Sequence, residues 1–301
     1  MWLLLASLTA FFEACKDATG KQSLKTLDEY SVLFSFMAVG VVLIAPLMLL
    51  TEGVPTIGPN FGWALLIGGS LNILSFTLYV RALKIADLSL TVPLVTLTPL
   101  FLLGTSPLIV QEWPTWTDGF GGVLLVVGSY VLNLNVSDGA MSGEALDQDT
   151  AVKHSFVSPL LAMARNPGSR LMLCVAFLWS ITSNFDKIGV INSSPLCWVV
   201  ALFSTVAAGM VPFVFRRGRG LKALVAQWKL LGITGAFHAI AVACQMLALP
   251  LASVAQVIAV KRMSTLISVL FGHFFFGEKD VRSRLIGAAI MVCGVAIMSL
   301  K

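Results

Sequence analysis

The sequence predicts an all-α membrane protein whose ten transmembrane helices form two inverted five-helix repeats. Composition, a succession of ten apolar runs, and a constant-offset similarity between the two halves lead to that reading. Of the 301 residues, 57% are hydrophobic and only 12% charged, and mean hydropathy is +0.90. A soluble domain carries about 25% charged residues because its surface faces water. Most of this surface must instead face hydrocarbon.

The chain opens Met1-Trp2-Leu3-Leu4-Leu5, like the core of a signal peptide. No basic residues precede this run, and it continues into Glu13, Lys16 and Asp17 without a small-residue cleavage site, so it is expected to be a first span. Further apolar runs cover Tyr30 to Leu50, Phe61 to Val80, Leu88 to Val110 and Thr117 to Leu134. After a polar stretch come Leu171 to Ile191, Leu196 to Phe215, Leu230 to Leu249, Ala252 to Phe276 and Leu285 to Leu300. Each approaches or exceeds the roughly 20 residues that cross a bilayer core. The expected organisation is a first repeat over residues 1–135, a polar linker over 136–170 and a second repeat over 171–301. Asp138, Glu144, Asp147, Asp149, Lys153, Arg165 and the turn-like Asn166-Pro167-Gly168 mark the linker.

The halves match at an offset of 166 without a gap: Ala82 with Ala248, Leu83 with Leu249, Ala86 with Ala252, Glu112 with Glu278, Gly121 with Gly287 and Gly128 with Gly294. Five spans per half is an odd number, so the second copy must enter the membrane in the opposite sense. Mirror-related halves can exchange conformations, the basis of alternating access in carriers.

Particular segments resemble a known family. They are Tyr79-Val80-Arg81-Ala82-Leu83-Lys84 with its counterpart Gln245-Met246-Leu247-Ala248-Leu249, and Lys261-Arg262-Met263-Ser264 running on to Phe276-Gly277-Glu278. Trp179 with Asn184 and Lys187 is similar to the first helix of a family repeat. The chain thus resembles the ten-helix, EamA-type members of the drug/metabolite transporter superfamily. The resemblance implies a secondary carrier with both termini in the cytoplasm. Its relatives export amino acids or carry sugars and nucleotide-sugars, and anion carriers among them use basic residues on late helices. Lysine and arginine counts point the other way on orientation. Nearly all fall on one face, including Lys21, Lys25, Arg81, Lys84, Arg216 and Lys229; that face should be cytoplasmic, leaving the termini outside.

Ionisable residues deep in apolar spans cost several kcal/mol unless they line water or find partners. Glu13, Lys16 and Asp17 lie in the first span and Asp186 and Lys187 in the sixth; at an offset of 170, Lys16-Asp17 falls on Asp186-Lys187. These five are expected to couple or gate, or alternatively to neutralise one another near span ends and snorkel to the interface. Lys261 and Arg262 sit nearly ten residues into the ninth span, about 14 Å at 1.5 Å per residue. A buried Lys-Arg pair repels itself unless an anion or a carboxylate is near, so these two are expected to bind an anionic group of the substrate or, alternatively, to close a salt bridge with Glu13, Asp17 or Asp186 that substrate or a proton breaks.

Asn72, Tyr79, Asn184, His238 and Gln245 are further candidate substrate contacts. At the 166 offset Asn72 matches His238 and Tyr79 matches Gln245, so one face of the third and eighth spans repeats its polar positions. Interhelical hydrogen bonding accounts equally well for any one of them. Pro93, Pro99 and Pro107 should bend the fourth span. Glu112 and Glu278 should cap the helices that follow them, and Gly121, Gly128, Gly287 and Gly294 should allow close helix contact.

No HExxH, GxSxG or Walker pattern occurs, and Cys15, Cys174, Cys197, Cys244 and Cys293 form no CxxC cluster. An enzyme, a resident metal and a cofactor are therefore not expected. The reading is a secondary exporter or exchanger of a small polar, anion-bearing metabolite, with Glu13, Asp17, Asp186 or His238 as proton acceptors if it couples to a gradient. The runner-up is a membrane-embedded enzyme or flippase acting on a lipid-linked substrate. The expected partners are the substrate, the lipid bilayer of a bacterial inner membrane and, as a possible homodimer, a second copy of the chain; no nucleic acid is expected.

Overall fold

The computed structural model describes residues 1–141, 166–217, 224–277 and 281–299, and every regular element among them is helical. The helices are α1 (Trp2–Ser23), α2 (Glu29–Thr51), α3 (Phe61–Ile85), α4 (Leu88–Thr91), α5 (Thr98–Ile109) and α6 (Trp116–Met141). They continue with α7 (Pro167–Ile191), α8 (Pro195–Arg217), α9 (Trp228–Ala248), α10 (Val254–Lys261), α11 (Ser264–Phe276) and α12 (Val281–Ser299). Glu144, Asp147, Asp149, Lys153, His154, Arg165, Lys222, Glu278 and Lys279 lie outside the described residues.

Seven helical stretches are long and apolar enough to cross a membrane, counting Val92–Ile109 and Val254–Phe276 each as one. Shorter apolar helices occupy Trp116–Gly128 and Leu285–Met298. The remaining long helix, α1, spans 22 residues but carries Glu13, Lys16, Asp17 and Lys21. It ends at Ser23, four residues beyond Thr19, where the first apolar run, Trp2 to Thr19, was expected to stop, which leaves Lys16 and Asp17 more than a turn inside the helix. Likewise α7 starts at Pro167, with the Asn166 side chain accepting from the amides of Gly168 and Ser169. The Asn-Pro-Gly turn is therefore a helix start, with proline at the position where a missing N–H costs nothing.

The prolines of the fourth span act where expected. Between α4 and α5 the chain narrows to a 3-10 turn over Val92–Leu97 that contains Pro93, and Pro99 sits in the first turn of α5. The ninth span breaks as well, with no proline or glycine to announce it. α10 ends at Lys261, Arg262 caps it, and α11 resumes at Ser264. Gly277, at φ 63°, closes α11 in the left-handed conformation that glycine adopts without strain.

The most extensive contacts each join a helix of the first half to one of the second: α6 with α12, α3 with α7, α1 with α9, and α2 with α8. The broken segments reciprocate, α5 and its 3-10 turn packing on α7 while α10 and α11 pack on α1. The α6–α12 pair is the closest. A Cβ on Gly121 would lie 2.4 Å from the Gly294 carbonyl, and one on Gly128 2.7 Å from that of Gly287. Without water to drive helices together, such backbone approach is what holds them in lipid. Gly128→Leu should therefore lower the unfolding midpoint in detergent, overpacking costing about 1–3 kcal/mol. Gly104→Ala, with nothing within 4 Å of the added carbon, should not lower the midpoint, since alanine favours a helix over glycine.

Candidate functional site

The two breaks meet in the interior. Arg262 Nη2 donates to Thr98 Oγ1 at 3.1 Å, and the hydroxyls of Thr96 and Thr265 lie 2.8 Å apart. A tightened or interrupted helix frees backbone groups and turns its side chains off the regular 3.6-residue stripe, which is how discontinuous helices build sites within a membrane. Here the interruption places Lys261 and Arg262, 8% and 4% exposed, side by side against α1, α7 and α9.

Their mutual repulsion is met in three ways. Lys261 Nζ donates to Gln245 Oε1 at 2.8 Å and lies 3.7 Å from Glu13 Oε2. Both cations rest on the Trp179 ring, Lys261 at 5.6 Å and Arg262 at 5.2 Å from its centroid, where the negative π-face attracts them. The indole in turn is fixed by its N–H donating to Ser75 Oγ at 3.1 Å.

One turn of α1 supplies a second charged group. Lys16 Nζ lies 2.7 Å from Glu13 Oε1 and 3.0 Å from Asp17 Oδ1. The Tyr79 hydroxyl donates to Asp17 Oδ1, and Ser268 Oγ donates to its other oxygen at 3.4 Å. Glu13, Lys16 and Asp17 are each at most 3% exposed. They do not snorkel: α1 runs past them, and helices cover them on every side.

A cavity of ≈ 30 Å³ lies between these groups, lined among others by Glu13, Asn72, Asp186, His238, Gln245, Lys261 and Arg262. That is room for one or two waters. Asp186 accepts from the Trp198 indole N–H at 2.9 Å. The His238 ring packs among Phe36, Phe76 and Phe203, with centroids 5.9, 5.6 and 5.0 Å away. Glu13 Oε2, Arg262 Nε and both His238 ring nitrogens have no hydrogen-bond partner among the described residues. A buried polar atom without a partner costs about 1–3 kcal/mol, and Glu13, His238 and Arg262 all line this cavity.

Most of the sequence-predicted residues converge here: Glu13, Lys16, Asp17, Asn72, Tyr79, Asp186, His238, Gln245, Lys261 and Arg262. Two lie elsewhere. Asn184 faces α5, accepting from Ser106 Oγ at 2.9 Å and donating to Thr105 Oγ1 at 3.3 Å. Lys187 sits at the end of α7, paired with Glu112 and donating to the Ala252 carbonyl at 3.1 Å. Its counterpart in the first half is Lys21, at the 166 offset, which donates to the Ala86 carbonyl at 3.1 Å. The 170 offset that paired Lys16-Asp17 with Asp186-Lys187 matched residue types without matching positions. Glu112 does cap a helix, but a distant one: it accepts from the Val254 amide at 3.0 Å, at the start of α10. Sequence reasoning passed over Trp179 as a site residue, although the 166 offset sets it opposite Glu13.

Long apolar helices enclosing a buried, charged cavity define a multi-pass membrane protein. The sequence matches the EamA-like transporter family over residues 1–134 and 166–300. The chain belongs to that family and is a membrane transporter of the drug/metabolite superfamily. Among solved structures, 25 chains match. One, described as "Crystal structure of protein", superposes with a TM-score of 0.64 at 16% identity over 97% of this chain and 95% of its own, a likeness of fold. No curated protein matches significantly.

Tyr79→Phe removes the hydroxyl that holds Asp17 and leaves a buried carboxylate oxygen one partner short. Its stability should fall by about 1–3 kcal/mol, read as a lower unfolding midpoint in detergent. An unchanged midpoint would show that Asp17 finds another donor.

Proposed function

We propose that the protein is a secondary transporter of a small polar metabolite bearing an anionic group, working by alternating access between two inverted five-helix repeats. The repeats are residues 1–135 and 171–301, joined by a linker over 136–170. The observation that carries this reading is Arg262: buried among helices, without a carboxylate in ion-pair range among the described residues, and with its Nε–H unpartnered at the cavity. With Lys261 beside it, a carboxylate or phosphate entering the cavity meets two converging cations.

Direction and packing support the inverted arrangement. The end of α1 lies by the end of α3, through Lys21 and Ala86, whereas the end of α7 lies by the start of α3, where the Gly58 amide donates to the Asn192 carbonyl at 2.7 Å. Helices 166 positions apart thus end at opposite faces. A cavity of ≈ 30 Å³ is too small for a metabolite, so substrate enters only when helices part. On this reading Glu13, Lys16, Asp17 and Asp186 couple substrate binding to that movement, and Asn72, Tyr79, His238 and Gln245 complete the polar wall. On this reading the Lys21 face, where lysine and arginine concentrate, is the cytoplasmic one.

The test is uptake or counterflow in proteoliposomes with radiolabelled amino acids, organic acids and sugar phosphates. Wild type should move an anion-bearing solute, and Lys261→Ala and Arg262→Ala should each reduce that transport about tenfold or more, as removing one partner of a buried charged contact does. Transport unchanged by both substitutions would place the substrate elsewhere.

A further inference from the structure

Outside the central cluster, the same unusual contact occurs twice. Lys21 near the end of α1 donates to the Ala86 carbonyl, and Lys187 near the end of α7 donates to the Ala252 carbonyl, each at 3.1 Å. Donor and acceptor are displaced by the same 166 positions in both. Each carbonyl lies in the connection that leads from a long helix, α3 or α9, into a broken one, the segments beginning at Leu88 and Val254. Each lysine stands on a helix that carries cavity residues: Glu13 on α1, Trp179 and Asp186 on α7.

The two contacts are far apart. Lys21 meets the end of α3, while α7 ends against the start of α3, a helix of 25 residues and about 37 Å. The Lys187 contact draws in a third segment. Glu112, from the connection after α5, takes the Lys187 ammonium and, with its other oxygen, the Val254 amide at 3.0 Å. Three chain segments are thereby tied at one point. Both side chains are mostly covered, at 16% and 26% exposure, so the pair is screened less than a surface ion pair.

We propose that these are two end clasps, one per half, each holding its own face of the transporter shut. Both are fastened in this structure, in keeping with a cavity that admits only water. The inference rests on the alternating-access reading. It adds which contacts must break: Lys187 with Glu112 and Ala252 when the protein opens at the α7-end face, and Lys21 with Ala86 when it opens at the α1-end face. If so, loosening one clasp biases the equilibrium toward opening at that face and away from the other. A lysine that merely stabilised the fold would not give effects of opposite sign at the two faces.

The experiment needs no known substrate. In a background with Cys15, Cys174, Cys197, Cys244 and Cys293 replaced by serine, Ser183→Cys on the cavity wall reports access to a membrane-impermeant cationic thiosulfonate. The reagent is added to right-side-out and to inside-out vesicles. The parent should label from both faces. Lys187→Met should raise the labelling rate from the α7-end face by about five- to tenfold and lower it from the other, and Lys21→Met should do the reverse. Glu112→Gln, which keeps an acceptor for Val254, should act like Lys187→Met and serves if that variant does not fold. Changes of the same sign from both faces, or none, would overturn the clasps while leaving the carrier reading standing. A parent that labels from one face alone would overturn both.

Discussion

The fold is organised around the cost of placing charge in hydrocarbon. An ionised side chain at the centre of a bilayer is several kcal/mol out of equilibrium unless protein surrounds it, and here six such groups occupy one region: Glu13, Lys16, Asp17, Asp186, Lys261 and Arg262. Three are carboxyl groups and three are basic groups. Four of them depend directly on one another, because Lys16 serves both Glu13 and Asp17 and Glu13 reaches toward Lys261. The surrounding arrangement follows from that requirement: α1 and α10 brought together, Trp179 placed beneath the two cations, and the breaks of the fourth and ninth spans laid against each other.

The same constraint explains why the site is built at helix interruptions. The ninth span halts at Lys261 and Arg262 and resumes at Ser264. With the helix halted at Lys261, both side chains reach one aromatic ring and one cavity. The partner break contributes hydroxyls rather than charge: Thr98 holds Arg262 and Thr96 meets Thr265. Two geometrically similar segments have thus taken different chemical parts, one presenting cations and the other orienting them.

Much of this was legible beforehand. Helices followed from apolar runs because in a membrane every backbone group must be satisfied locally. The glycine contacts of α6 and α12 and the matched polar positions of α3 and α9 followed from one numerical offset. Less accessible was whatever depends on where a helix stops. The end of α1 and the start of α7 were each misplaced by four residues, and with α1 read as stopping at Thr19, Lys16 and Asp17 looked equally interfacial. The break at Arg262 has no proline or glycine signature, being set by tertiary contacts. Trp179 entered only as part of a family-like helix; the cations above it give it a further part. Asn184 could not be separated from its polar neighbours, since which face of α7 meets α5 is decided by packing.

The central claim is that Arg262 presents an unpartnered donor to an interior space that an anion can enter. Its most direct test is the Nε–H resonance of Arg262 in protein labelled with ¹⁵N-arginine, assigned by its loss in Arg262→Lys and followed during titration with carboxylate and phosphate metabolites. The account predicts a saturable shift of that one resonance with at least one such anion, and no shift with neutral analogues. A signal that stays fixed for every anion the protein transports would contradict it.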